Sequence, residues 1–140
     1  MTLREILSRI EIPDSDEIVA IDAIRSILIS RLSLDSQLLV VVPNSRIGDL
    51  LISEITSISG SPVAEFPAWE TLPHERLSPS SDTVAKRIST LQALQDQNRN
   101  WVVVAPIRAV IHKFNSQIVN TKPITLDRGL EFDLTDLQRQ

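Results

Sequence analysis

Leu38-Leu39-Val40-Val41-Val42-Pro43 is a run of apolar, mostly branched residues cut off by proline. A strand with no polar position on either face is expected to be covered on both, as inner strands of parallel sheets are. Pro43-Asn44-Ser45 ends the run. Ile47, Leu50, Leu51, Ile55 and Ile58 then recur at helical spacing, with Gly60 read as the closing cap. The pattern returns further along. Trp101-Val102-Val103-Val104-Ala105 stops at Pro106, and residues 107–114 read as a short helix. Two such units, each an inner strand followed by a crossover helix, predict an α/β fold with a doubly wound or RecA-like layered parallel sheet.

Working outward, Thr2-x-x-Glu5 is a capping box that predicts a helix over residues 3–9. Asp14-x-x-Glu17 repeats the signal after Pro13. Ile18, Ile21, Ile24, Leu28 and Leu32 then predict an amphipathic helix to about Arg31. Pro62-Val63-Ala64-Glu65-Phe66 reads as a short strand. Asp82 or Ser81 is expected to cap a helix that turns Val84, Ile88, Leu91 and Leu94 inward. Between them, Pro67, Pro73 and Pro79 deny residues 66–80 both helix and inner strand. Long ordered loops in compact domains are usually either functional or dispensable, and Trp69 and Leu72 are expected to pin this one to the core even if it is a plain surface crossover. Near the end, Ile124-Thr125-Leu126 reads as a strand, Gly129 as a turn and Leu134-x-x-Leu137 as the start of a helix. The expectation is that the chain stops just after a new domain begins.

At 140 residues the chain suits one domain whose core needs no staples. It has no cysteine, which removes disulfides and thiolate metal sites. Only His74 and His112 could supply imidazole. The net charge of −4 and the scattered arginines disfavour broad capture of nucleic acid. No apolar stretch reaches the ~20 residues of a membrane span. The amino end lacks a signal-peptide core, so a cytoplasmic chain is expected. The three glycines, Gly48, Gly60 and Gly129, form no phosphate-cradling turn and precede no Lys-Ser or Lys-Thr pair. Neither buried strand ends in acids that could hold Mg²⁺.

His74-Glu75 lacks the second histidine of a zinc-protease helix. Ser78, Ser80 and Ser81 lack a nucleophile elbow. Asp82 as a cap with Arg87 one turn on needs no catalysis to explain it. Lys86, Arg87, Arg99 and Arg108 could gather at the carboxyl edge of the sheet, where α/β folds bind ligands, but read as a solvated surface.

The run Phe66-Pro67-Ala68-Trp69-Glu70-Thr71-Leu72-Pro73, then Leu77-Ser78-Pro79, Asp82, Arg87 and Thr90-Leu91, resembles the amino-terminal module of the bacterial transcription-repair coupling factors. The likeness covers about Gln37 onward and is sharpest from Trp69 to Pro73; His74 stands where the family has Tyr. That module is similar to the excision-repair protein UvrB. The resemblance implies a RecA-like, P-loop-NTPase-type layered parallel sheet with flanking helices, P-loop lost. It implies a degenerate RecA-like subdomain in residues 36–120 and the truncated start of a UvrA-binding domain in 121–140; residues 1–35, read as N-terminal helices from their own capping boxes and periodicity, resemble nothing in particular. UvrB's damage-probing hairpin has no counterpart, because the loop is short and the chain has no Tyr.

The family's full-length members are ATP-dependent DNA translocases that remove stalled RNA polymerase and recruit excision repair. For this stretch the resemblance implies no catalytic, cofactor or metal residue. It implies a structural or interaction motif of Trp69, Glu70, Thr71, Leu72, Pro73, Ser78, Pro79, Asp82 and Arg87. The partners implied are the remainder of the protein and UvrA, with RNA polymerase and DNA engaged through downstream domains. Two other classes stay open: a small α/β enzyme using Glu70, Glu75 or Asp82, and an ATP-independent nucleic-acid-binding domain.

Overall fold

Three parallel strands, β1 (Leu38–Val42), β2 (Val63–Glu65) and β3 (Val102–Pro106), lie in the order β1-β3-β2. The computed structural model describes residues 2–15, 17–71, 78–96, 98–113 and 129. The strand and helix expected at 124–126 and 134–137 lie outside those residues. β1 and β3 pair from Leu38↔Val102 to Val42↔Pro106, and β2 and β3 from Val63↔Val102 to Glu65↔Val104. Helices α1 (Leu3–Ser8), α2 (Asp22–Leu32), α3 (Ser45–Ile58), α4 (Ser81–Ala93) and α5 (Ile107–Ile111) flank the sheet. The architecture is α/β and consistent with a RecA-like layered fold. Among the described residues no helix is long and apolar enough to cross a membrane.

Side chains alternate across a strand, so β3 feeds two cores. On one face Val102 and Val104 meet Val42 of β1 and Leu51 and Ile55 of α3. On the other, Val103 and Ala105 meet Phe66 and Ala109, with Leu91 and Leu94 packed around them. Full burial of each large aliphatic contributes about 1.5–3 kcal/mol, so the central strand is the best-secured element. Residues 102–105 are at most 4% exposed. The expectation that β1 is equally covered fails: Leu39 is 60% and Val41 46% exposed. Among the described residues β1 is an edge strand, and the helices on its second face leave Leu39 and Val41 uncovered.

Several boundaries also move. The capping box at Thr2 is present, and α1 ends at Ser8 with Arg9 as its cap. α2 begins at Asp22 rather than behind Asp14. Ser15 Oγ bonds the Glu17 backbone in a local turn, a competitor to helix. Residues 18–21 are three β-branched residues and an Ala, with Val19 93% exposed. The inward face of α2 is also not the expected isoleucine stripe. Ser26 and Ser30 are its buried residues, while Ile21, Ile24 and Leu32 stay exposed. A hydroxymethyl group is smaller than an isoleucine side chain, so this face lets the helix lie close to the layer beneath.

Gly60 does not cap α3. The helix ends at Ser59 in extended backbone, φ −86°, and Ser59 Oγ accepts from Ser61 N at 2.9 Å. A hydroxyl turn takes the place of a left-handed glycine. α4 is capped by Ser80, not by Ser81 or Asp82, and α5 stops at Ile111, short of Phe114.

Candidate functional site

The Pro-rich loop leaves β2 at Phe66 and closes on the first three turns of α4. Thr83, Arg87 and Thr90 recur at helical spacing, and all three are buried on the side of α4 that faces the loop. Each holds a different loop group. Thr90 Oγ1 donates to Glu65 O at 2.7 Å, fixing the end of β2. Arg87 Nη1 donates to Pro67 O at 2.6 Å. Thr83 Oγ1 donates to the Glu70 carboxylate, which also accepts from Ser80 Oγ at 2.8 Å. The carboxylate is thereby seated at the positive end of α4.

Arg87 is the centre of the arrangement. It is 3% exposed, and its guanidinium lies 4.0 Å from the Phe66 ring centroid and 4.3 Å from that of Trp69. Burial lowers its pKa from the ordinary arginine value. Among the described residues no carboxylate pairs with it, and Nη2 is buried without a hydrogen-bond partner. The two ring faces supply the negative potential that a carboxylate otherwise would. Glu70 shows the opposite shift. The Thr83 hydroxyl, then the Ser80 hydroxyl, hold its carboxyl down to about 2 from 4.5. On the solvent side Lys86 Nζ reaches Glu65 at 3.2 Å and Asp82 at 3.8 Å. The Glu65 hydrogen bond and charge raise its pKa.

The loop motif is thus brought together only in part. Trp69, Glu70 and Arg87 converge; Trp69 and Thr71 are half-buried and Glu70 is exposed. Leu72 and Pro73 lie outside the described residues, as do His74 and Glu75. Ser78 is exposed and Pro79 half-buried. Asp82, expected as the cap, has its side chain 82% exposed beside Lys86. Glu70 and Asp82 answer to separate partners and form no acid pair.

The basic residues do not gather at the carboxyl edge, the less favoured of the two readings, but Arg87 is not on a solvated surface either. Lys86 is paired and Arg87 enclosed. Arg99 sits with Ser61, Pro62 and Asn100 near the amino ends of β2 and β3, whereas Arg108 follows the carboxyl end of β3. Thr83 is a working residue that the sequence reading passes over, and Ser80 and Thr90 figure there only as a nucleophile candidate and as part of the family run. Their signal was the polar spacing 83, 87, 90, which runs beside the apolar one.

At the carboxyl end of β1, α3 starts without a glycine turn. Asn44 Oδ1 accepts from Ile47 N at 3.0 Å. Gly48 is buried inside the helix, where an added Cβ would lie 3.4 Å from Val42 Cγ2.

No protein-family profile matches the chain. It is 36% identical over 125 residues, 85% of its length, to the transcription-repair-coupling factors of Mycobacterium tuberculosis and Mycobacterium bovis. It is 31% identical over 90 residues, 63% of its length, to that of Haemophilus influenzae. The match spans 10% of the mycobacterial proteins and 8% of the Haemophilus protein.

Proposed function

The chain is related to the transcription-repair coupling factors over a short part of their length, and from that premise we propose that it serves as a non-catalytic scaffold and docking module of such a factor. The observation that carries this reading is the turn after β1. A nucleotide-gripping turn offers free helix-end N–H groups and a lysine to the phosphates. Here the Asn44 side chain occupies one of those donors, and no lysine follows. Both features support a layered sheet that serves as architecture and docking surface rather than as a nucleotide grip.

In this reading the clamped loop presents a fixed surface. The module packs against the remainder of the factor and supports recruitment of UvrA, while RNA polymerase and DNA are engaged by other domains. Isothermal titration of the 140-residue chain with ATP and Mg²⁺ tests it. No saturable heat is expected, and micromolar binding would overturn the reading.

A further inference from the structure

At the amino ends of β2 and β3, opposite the edge where α/β sheets usually hold ligands, the chain forms an open cleft of about 450 Å³. Its floor is tied together from three segments. Ser33, at the end of α2, is 0% exposed; its Oγ donates to Ser30 O at 2.8 Å and lies 3.1 Å from Ser61 Oγ in the loop before β2. Asn100 Nδ2 donates to Leu34 O at 3.1 Å and brings the turn before β3 to the same place. Val102 N donates to Pro62 O at 2.9 Å and joins the two strand starts. Two arginines from distant parts of the chain line the cleft, Arg4 of α1 and Arg99 of the turn before β3. No carboxylate lines it, in a chain with 18 acidic residues against 14 basic ones. The adjoining groove that Arg4 shares with Glu5, Arg31 and Asp35 mixes both signs. Among the described residues Arg4 makes no ion pair. Arg99 has Asp96, its Nε 3.7 Å from Oδ2, beyond hydrogen-bond length. Two like charges at one cleft repel, and an anion between them removes that cost.

We propose that this cleft binds a phosphate group, free or as the monoester of a small metabolite. Guanidinium forks recognise compact oxyanions bidentately, and a dianion matches two of them where a single carboxylate leaves one uncompensated. Asn98 and Ser61 add an amide and a hydroxyl to the lining, donors for the remaining oxygens. The volume is that of a small-ligand site. A nucleic-acid backbone needs a row of such contacts, and the net charge of −4 works against one. The site stands apart from the scaffold reading, which concerns the opposite edge of the sheet.

An amide chemical-shift titration of the 140-residue chain with sodium phosphate, at an ionic strength held constant with sodium chloride, tests the proposal. Saturable shifts are expected at Gly60, Ser61 and Asn100, with a Kd of about 1 mM. Arg4→Gln and Arg99→Gln, both at exposed positions, are each expected to weaken binding ~10-fold. Arg46→Gln, on α3 at the other end of the sheet, should leave it unchanged. Glycerol phosphate separates the two sources: tighter binding than inorganic phosphate assigns a monoester, and equal or weaker binding assigns the free ion. No saturation below ~20 mM overturns the proposal. An equal loss in Arg46→Gln also overturns it, because the response is then diffuse surface charge. Succinate binding as tightly as phosphate, or a short DNA duplex saturating the same amides at lower concentration, puts a different ligand there and overturns it as well. Micromolar ATP binding with shifts confined to residues 44–48 would sink the scaffold reading alone.

Discussion

Helices α2 and α4 both turn polar side chains inward, yet for opposite reasons. On α4 each inward polar group has a loop partner: Thr83 the Glu70 carboxylate, Arg87 the Pro67 carbonyl, Thr90 the Glu65 carbonyl. On α2 the inward residues are Ser26 and Ser30, and Ser30 Oγ is buried with no partner. One helix buries polarity to hold a loop; the other buries serines because they are small. Burial alone does not mark a functional polar group, and the partner does.

Arg87→Ala should cut deepest into that contrast. It removes a charged hydrogen bond and two ring contacts, and about 3 kcal/mol of stability is expected to be lost in urea unfolding. A loss under roughly 0.5 kcal/mol would reduce Arg87 to a bystander. Trp69→Ala comes next, at about 2 kcal/mol. That is less than a fully buried tryptophan would cost, because the ring is half-buried. The two losses should not add: a double-mutant cycle is expected to return about 1 kcal/mol of coupling, and simple additivity would separate ring from guanidinium.

Smaller effects sharpen the comparison between the helices. Thr90→Val should cost about 1 kcal/mol, since it strands the Glu65 carbonyl, whereas Ser30→Ala should stay within about 0.5 kcal/mol or stabilise. Equal costs at both positions would erase the distinction. The gentlest test is pH. Glu70 titrates near 2 in the folded chain against 4.5 ordinarily, so it holds its proton less tightly when folded. Its contribution to stability is full above 4.5 and is lost as pH falls toward 2. Glu70→Gln should flatten that stretch of the acid-unfolding profile, and an unaltered profile would detach the carboxylate from the clamp.

The sheet was legible because its signal is local. Apolar runs at 38–42 and 101–105, each cut by proline, declare parallel strands without tertiary information. Which of them sits at the edge was not legible, because strand order depends on crossovers that leave no mark in either run. The loop was legible as a loop, from Pro67 and Pro79, and its Trp69 as an anchor. Its partner was not. Arg87 looked like a surface neighbour of Asp82 because charged residues are rarely buried without an acid. The answer lay in two aromatic rings, Phe66 and Trp69, about twenty residues upstream, a spacing that no helical or strand period connects. α2 misled for a related reason: its isoleucines keep a convincing rhythm, and the serines between them carry no hydropathy signal.

The seat of Trp69 over a guanidinium makes this protein its own optical probe. Indole emission responds to a neighbouring cation and to solvent, so release of the ring should shift and brighten or dim the spectrum without any attached dye. Trp101, next to the start of β3, supplies a steady background from the other end of the sheet. Loop release could then be timed in a stopped-flow cuvette, separately from collapse of the fold.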